Sequence, residues 1–515
     1  MLEFKYHSFR EESFWSRRRV FFAAFFCLLL ANLTNLTDPP YWDAIFFNSQ
    51  AVWLKNNGFN YAELWRLPGY FGGGPNTNIL YIMAPVNALL LKYLTPEKTF
   101  LILHIFNISC AAITFTLFFS ILSTCMPAGH AFMWCAAAVV DPIFSGQTAS
   151  IYLEMPQAAA YGAVVYALHK NRFFQACLWC LLAYLIKDSA MIMGIALFVW
   201  FFLQTFLYRL LSAEKLDFRR NRQAWPILFV LPVFLILSCL PSTKHEMFWD
   251  TCRVFAMTLS LFPNHAAMVI LSLFLIVYLL VKKRFITISN RDERVFHTAL
   301  LLLIVVSGFW AGFFLYYLPL CRYTTSIIFP MVTLFGFLVF QNSRRLSIIA
   351  GILLIVFGCL NQYGVLLPST SIVRCRSGET LERSREYLFD LEANRRICRE
   401  LEEKYFHKKI VVKYPFAHML TIPEMGYVTT PLPNVYSVGM RPMVSAVKAF
   451  SSELLADPET LYLYSPNVYE YYTRPWLRPG DGDLILYHDT SLRVPMLLFK
   501  RKIQSQGFPD NPKTS

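Results

Sequence analysis

The chain has 515 residues, of which 56% are hydrophobic, 17% aromatic and only 16% charged, and its mean hydropathy is +0.42. Soluble globular proteins carry about 25% charged residues, so this composition excludes an ordinary soluble protein over most of the length. The formal charge of +14 does not indicate a nucleic-acid partner, because the basic residues lie in short clusters between apolar runs, where membrane orientation signals belong.

The shortage of charge is uneven. From about Val20 to Leu367 long apolar runs alternate with short polar loops, and from Pro368 onward the composition is that of a water-soluble domain. Two domains are expected: a membrane body over 1–367 and a soluble domain over 368–515, long enough to bury its own core. The twelve cysteines show no paired metal spacing. Most, such as Cys27, Cys110 and Cys135, sit inside apolar runs as small buried hydrophobes. Cys375 and Cys398 are the pair in the soluble region, suited to a disulfide if that region faces an oxidising compartment. No internal repeat is visible, and no small-residue cleavage site follows the first apolar run, which reads as an uncleaved first span.

Spans need about 20 apolar residues, and basic loops stay in the cytoplasm. With Arg17–Arg19 inside, Val20–Leu36 runs outward and residues 37–99 form a long external loop, in which Pro75–Leu94 suits a helix lying along the interface. Phe100–Leu122 returns to Thr124–His130, a loop without Lys or Arg. The third span goes out to Gly146, and Met155–Leu168 comes back to His169, Lys170 and Arg172. The fifth ends outside at Lys187, and the sixth returns to the basic stretch from Arg209 to Arg222. The seventh runs to Pro241, His265–Val281 returns, the ninth reaches Pro319, the tenth comes back to Arg344 and Arg345, and the last leaves the soluble domain outside. About eleven transmembrane helices fit the positive-inside rule in this way, with one neutral loop as exception. Asp38, Asp43, Glu154, Lys187, Lys244, Asp250, Arg253 and Arg322 then share one external face. The soluble region reads as α/β. A charged helix over Glu379–Tyr405 has apolar residues near helical spacing, and strands follow at Ile410–Tyr414, Thr460–Tyr464, Asp483–Tyr487 and Pro495–Lys500.

Ionisable residues at a membrane boundary are costly to desolvate, which makes the external set a candidate site. The first loop holds Asp38-Pro-Pro-Tyr-Trp-Asp43 and then Gly72-Gly73-Gly74-Pro-Asn76-Thr-Asn78, whose glycines would let backbone approach a ligand. Asp38 equally suits a turn cap and Asp43 a helix cap; Glu154 suits a helix N-terminus; Lys187 and Arg322 suit snorkelling side chains. Asp141, beside Pro142 inside the third span, reads as structural. Together, however, acids and cations from separate segments form the inventory that moves a sugar off a phosphate. A carboxylate takes the proton of an incoming hydroxyl, and cations neutralise charge on the departing phosphate. That leaving group needs no general acid.

The order of these residues resembles that of polytopic glycosyltransferases with the GT-C fold, closest to the bacterial branch that includes the lipid A aminoarabinose transferase and relatives of protein O-mannosyltransferases. The matches are Asp43-Ala-Ile-Phe-Phe47 continuing to Gly58, Pro75-Asn-Thr-Asn-Ile-Leu-Tyr81, Glu154-Met-Pro156, Leu185-Ile-Lys187, and Arg322-Tyr323 before Pro330. The resemblance covers the membrane body, about Val20 to Pro330. The departures are Ala44 beside the first acid, Glu154 in place of Asp, Asp188 in place of Gly, and a missing Lys-Pro-Pro-Leu in the interface helix.

The resemblance implies inverting transfer from a polyprenyl-phosphate sugar to a glycan, lipid or protein acceptor. It casts Asp43 as general base, with Asp38 its rival, and Lys187, Arg322 and Tyr323 at the donor phosphate. Glu154 would orient sugar or acceptor, or help bind a metal. Some relatives hold a divalent cation between two acids; without an Asp-x-Asp cluster, this chain is expected to need no cofactor, a divalent metal being the alternative. The expected setting is a bacterial inner membrane with the C-terminal domain in the periplasm, the alternative being a eukaryotic endoplasmic reticulum with that domain in the lumen. A transporter or flippase, or a non-catalytic assembly factor for an envelope polymer, are the rival readings. The missing repeats and the placement of charges at span ends count against transport.

Overall fold

A computed structural model describes residues 16–66, 82–212, 227, 263–281, 293–315, 321–363, 384–438, 447–451, 453–464, 479–489 and 496–501. The apolar runs fold as helices: α1 (Arg17–Ala31), α5 (Pro96–Leu122), α6 (Ala128–Val139), α7 (Pro142–Thr148), α8 (Glu154–His169), α9 (Phe173–Ile186), α10 (Met191–Ser212), α11 (Pro263–Val281), α12 (Glu293–Leu315), α13 (Thr325–Asn342) and α14 (Arg344–Leu360). The first loop contributes α2 (Asp43–Asn56), α3 (Tyr61–Arg66) and α4 (Met83–Tyr93). The expected span ending at Pro241, the turn at Pro319 and Cys375 lie outside the described residues.

The helices pack around α5, α8 and α13. Among the described residues α5 and α13 are the ones both long and apolar enough to cross a membrane by those criteria alone. The outer surface adds a second argument. Phe22, Phe26 and Leu30 on α1, Ile270 and Phe274 on α11, and Ile349, Ile352 and Leu353 on α14 are all exposed. Inside, Trp134 is sealed, and a Cβ on Gly336 would lie 2.6 Å from its ring. An apolar belt around an apolar core is stable in lipid and not in water, so the chain is an integral membrane protein. On α4 Val86, Leu89 and Tyr93 are exposed beside Lys92, while Ala84, Ala88 and Leu91 are buried, as suits a helix lying on the interface.

Contacts fix the helix directions. At one end Arg17 lies 5.2 Å from the Tyr166 ring, His169 meets Thr298 at 2.9 Å, and His130 packs against Phe340. At the other end Tyr387 donates to the Gly146 carbonyl, Arg385 to Ser145, and Gln362 to the Val140 carbonyl. Helices α1, α6–α7, α9, α12 and α14 therefore run toward the C-terminal domain, and α5, α8, α11 and α13 away from it. This is the alternation expected from the basic loops. The third span departs from expectation in one respect: it is two helices. Asp141 Oδ1 accepts from the Ile143 and Phe144 amides, and Pro142 occupies the first position of α7, where a missing N–H costs nothing.

The C-terminal region begins with α15 (Tyr387–Lys404), shorter than the predicted helix, whose residues 379–383 lie outside the described set. Strands β1 (Ile410–Val412), β2 (Val435–Ser437), β3 (Lys448–Ala449), β4 (Leu461–Tyr464), β5 (Leu484–Asp489) and β6 (Met496–Lys500) form one sheet in the order β3-β2-β1-β4-β6-β5. Ile410 pairs with Val435 and Leu461 in parallel register, and Tyr462 opposes Phe499 in the antiparallel half. Two short helices, α16 (Phe416–Thr421) and α17 (Glu453–Ala456), complete it. The period of two along each strand divides the burial. Val411, Tyr462 and Phe499 pack with Leu454 on one face. Ile410, Val412, Leu461 and Leu498 join α15 on the other, and that same core continues into Trp42, Ile45, Val52 and Leu54 of the first loop and Ala88 of α4. The loop and the C-terminal domain thus share one hydrophobic core.

Candidate active site at the domain end of the helices

The first acid sits where the chain turns sharply into α2. Trp42, just before Asp43, has φ 51° and ψ −118°, a region that bulky residues rarely occupy. The carbonyls of Pro40, Tyr41 and Trp42 accept hydrogen bonds from the hydroxyls of Tyr427 (2.9 Å), Tyr152 (2.7 Å) and Tyr414 (2.7 Å). Tyr41 stacks on Tyr387, and the Trp42 ring meets Tyr414 edge-on. Asp43 follows as the first residue of α2, half-buried, where the helix dipole favours a carboxylate.

Asp38 has a different setting. Arg395 of α15 donates to its Oδ1 at 2.8 Å and Asn35 to its Oδ2 at 2.9 Å. Burial pushes the Asp38 carboxyl above its ordinary value, against the opposing influence of Asn35 and Arg395. The pair ties the first loop to the C-terminal domain.

The second acid and the cation meet. Glu154 opens α8 and is 2% exposed. Lys187 follows α9 in extended conformation, and its Nζ lies 2.6 Å from Glu154 Oε1. The same ammonium sits 4.3 Å from the centroid of the Tyr323 ring, within cation–π range. Gln157, one turn along α8, donates to Ser189 Oγ at 3.0 Å, and the Ile82 amide donates to the Leu185 carbonyl, which brings the start of α4 to the end of α9. Arg322 belongs to the same 3-10 turn as Tyr323, Cys321–Thr324; its side chain is outside the described set.

Of the candidate residues, then, Glu154, Lys187 and Tyr323 come together, and Asp43 is linked to Glu154 through the Tyr152–Tyr41 bond two residues before each acid. Asp38 is engaged by Arg395. Gly73, Gly74, Asn76 and Asn78, with Lys244, Asp250 and Arg253, lie outside the described residues. A small cavity of about 20 Å³ between α2, α4 and α5 is lined by Ala44, Asn48, Asn87 and Leu153, so the neighbours of both acids border it. It has room for about one water.

The sequence reading missed the tyrosines Tyr152, Tyr414 and Tyr427, for which no local pattern exists. It also missed the partner of Asp141, whose Oδ2 lies 2.8 Å from His265 Nε2 in a buried pair. His265 stands three positions into α11, at the same end as the acids, and that placement was the available signal.

Chemically the arrangement offers a buried ammonium with three donors, one engaged by Glu154, and a second carboxylate on a rigid helix terminus. Among the described residues no three His, Cys, Asp or Glu side chains gather as a metal site. No protein-family model matches the chain, and no curated protein matches it. The chain is similar in structure to ArnT from Cupriavidus metallidurans in the apo state, with a TM-score of 0.43 and 11% identity over 94% of this chain and 98% of that one.

Proposed function

We propose that the chain is a membrane glycosyltransferase of the GT-C type. In this reading it transfers a sugar from a polyprenyl-phosphate carrier, with inversion, to an extracytoplasmic glycan, lipid or protein. The observation that carries the reading is the buried Lys187–Glu154 pair at 2.6 Å with Lys187 against the Tyr323 ring. A charge pair withdrawn from water is weak as a stabilising device, yet it is a prepared receptor for an anion that can share the ammonium. Lys187 and Arg322 hold the donor phosphate and neutralise the charge it gains as the glycosidic bond breaks. Tyr323 keeps the ammonium in place. Asp43 takes the proton of the acceptor hydroxyl, and Glu154 orients sugar or acceptor. No cofactor takes part. The acids lie at the domain end of the helices, whereas Arg17, Lys170 and Arg344 lie at the other. By the positive-inside rule the site and the C-terminal domain face away from the cytoplasm; the compartment that fits an envelope acceptor is the periplasm outside a bacterial inner membrane.

One observation favours transport instead: the buried Asp141–His265 pair at the break between α6 and α7, since intramembrane ionisable pairs at interrupted helices mark ion pathways. The deciding experiment uses purified protein in lipid, a panel of polyprenyl-phosphate sugars and crude envelope glycans, with and without a chelator. Release of polyprenyl phosphate is compared between wild type and Asp43→Asn. Release confined to one sugar, unaffected by chelator and abolished in the variant, is expected. Release that survives in Asp43→Asn moves the base to Asp38 or Glu154, and no release from any donor by folded protein favours transport or assembly.

A further inference from the structure

Three consecutive carbonyls just before Asp43 are each held by a tyrosine hydroxyl from far along the chain. Tyr152, Tyr414 and Tyr427 stand 111, 372 and 387 residues from their acceptors. All three bonds are buried. Two of the carbonyls also start α2, because the Ala44 amide donates to Tyr41 O and the Ile45 amide to Trp42 O, both at 3.0 Å. The hydroxyls therefore set the orientation of the first helical turn, and with it the direction of the Asp43 side chain. They do so at a residue, Trp42, whose positive φ is strained and persists only where its surroundings over-determine it. Tyr152 lies two residues before Glu154, so one short segment fixes the carbonyl before the first acid and carries the second.

We infer that Tyr152, Tyr414 and Tyr427 are positioning residues that hold Asp43 in register with the Glu154–Lys187 pair. The C-terminal domain, which supplies two of them, is on this account half of the active-site scaffold and not a cap. The inference rests on the reading of Asp43 as base.

The test measures kcat and donor KM for Tyr152→Phe, Tyr414→Phe and Tyr427→Phe in lipid. Misplacing a reacting group by about 1 Å costs up to about 100-fold, so kcat is expected to fall about 10- to 100-fold with donor KM within about twofold. Tyr462→Phe is the control. Its hydroxyl donates to the Leu454 carbonyl at 2.9 Å, also buried in the C-terminal domain, so it loses an equivalent bond and should lower the unfolding temperature alike while leaving kcat unchanged. In an Asp43→Asn background the clamp substitutions should have no further effect on the residual rate, because groups acting through one another are not additive. Equal kcat losses in Tyr462→Phe and Tyr414→Phe would overturn the clamp. So would normal kcat in the three variants when Asp43→Asn is dead. Full activity in Asp43→Asn overturns the base assignment itself and the clamp with it.

Discussion

The Lys187–Glu154 pair can be separated into its structural and its chemical parts. At 2.6 Å and an effective dielectric of about 20, the attraction is about 6 kcal/mol. Removing one member of a buried pair costs about 3–5 kcal/mol, because the other charge stays buried and uncompensated. The loss should be asymmetric. The Glu154 side chain is 2% exposed and that of Lys187 is 10% exposed, with the Tyr323 ring beside it. Lys187→Met strands the more deeply buried charge and should approach the upper figure; Glu154→Gln leaves the lysine its ring and some solvent and should cost less. The double variant removes both charges, and its stability should return to within about 1–2 kcal/mol of wild type, since replacing a buried pair by uncharged groups of similar volume is often neutral. Its transfer activity should remain lost. Unfolding in detergent gives the stabilities, and release of polyprenyl phosphate the activity. A double variant that is stable and active would refute the assignment of these residues to the donor. A double variant as unstable as Lys187→Met would refute the electrostatic account of the pair.

Two further expectations concern the C-terminal domain. His418 is fully buried against Tyr414, and burial pushes its imidazole from 6.5 down to about 3. A depressed base contributes stability that is present above the unfolded value and lost as pH falls toward the folded one. Unfolding free energy should therefore drop by about 1.4 kcal/mol per pH unit below about 6.5. His418→Leu should flatten this slope in thermal unfolding between pH 7 and pH 5, and an unchanged slope would assign the acid sensitivity elsewhere. Gly426 has φ +77°, and a Cβ there would lie 2.8 Å from the Phe100 ring at the head of α5. Gly426→Ala should cost about 1–2 kcal/mol for the left-handed backbone alone. It should also lower kcat beyond the stability loss, because Tyr427 must move with it; a variant indistinguishable from wild type in both assays would contradict the close approach.

What the sequence disclosed and what it hid follow one physical line. Glu154 and Lys187 stood out because charge is scarce in an apolar chain, so each ionisable residue at a span end is marked by its desolvation cost, whereas Tyr323 was picked out only by the resemblance, beside Arg322. The alternation of helix directions was legible for the same reason, through the basic loops. The break at Asp141-Pro142 carries a helix-start signal, an N-cap acid followed by proline, yet it lies inside an apolar run that reads as one span. β1 is as short as β2 but is an unbroken apolar Ile410-Val-Val412, whereas β2 (Val435-Tyr-Ser437) and β3 (Lys448-Ala449) mix polar residues into two or three positions and went unseen. The core shared between the first loop and the C-terminal domain, and the tyrosines that bind it to Asp43, left no trace at all. A hydroxyl donating to a backbone carbonyl demands no particular residue at the acceptor, so nothing at Pro40, Tyr41 or Trp42 marks the contact. That asymmetry bears on the chemistry. The charges proposed to recognise a donor phosphate are written locally, at the ends of helices, whereas the geometry that would make Asp43 a base is imposed from 111 to 387 residues away. A chain carrying the same acids and cations without Tyr414 and Tyr427 would keep the means to bind its donor and lose the alignment that turns binding into transfer.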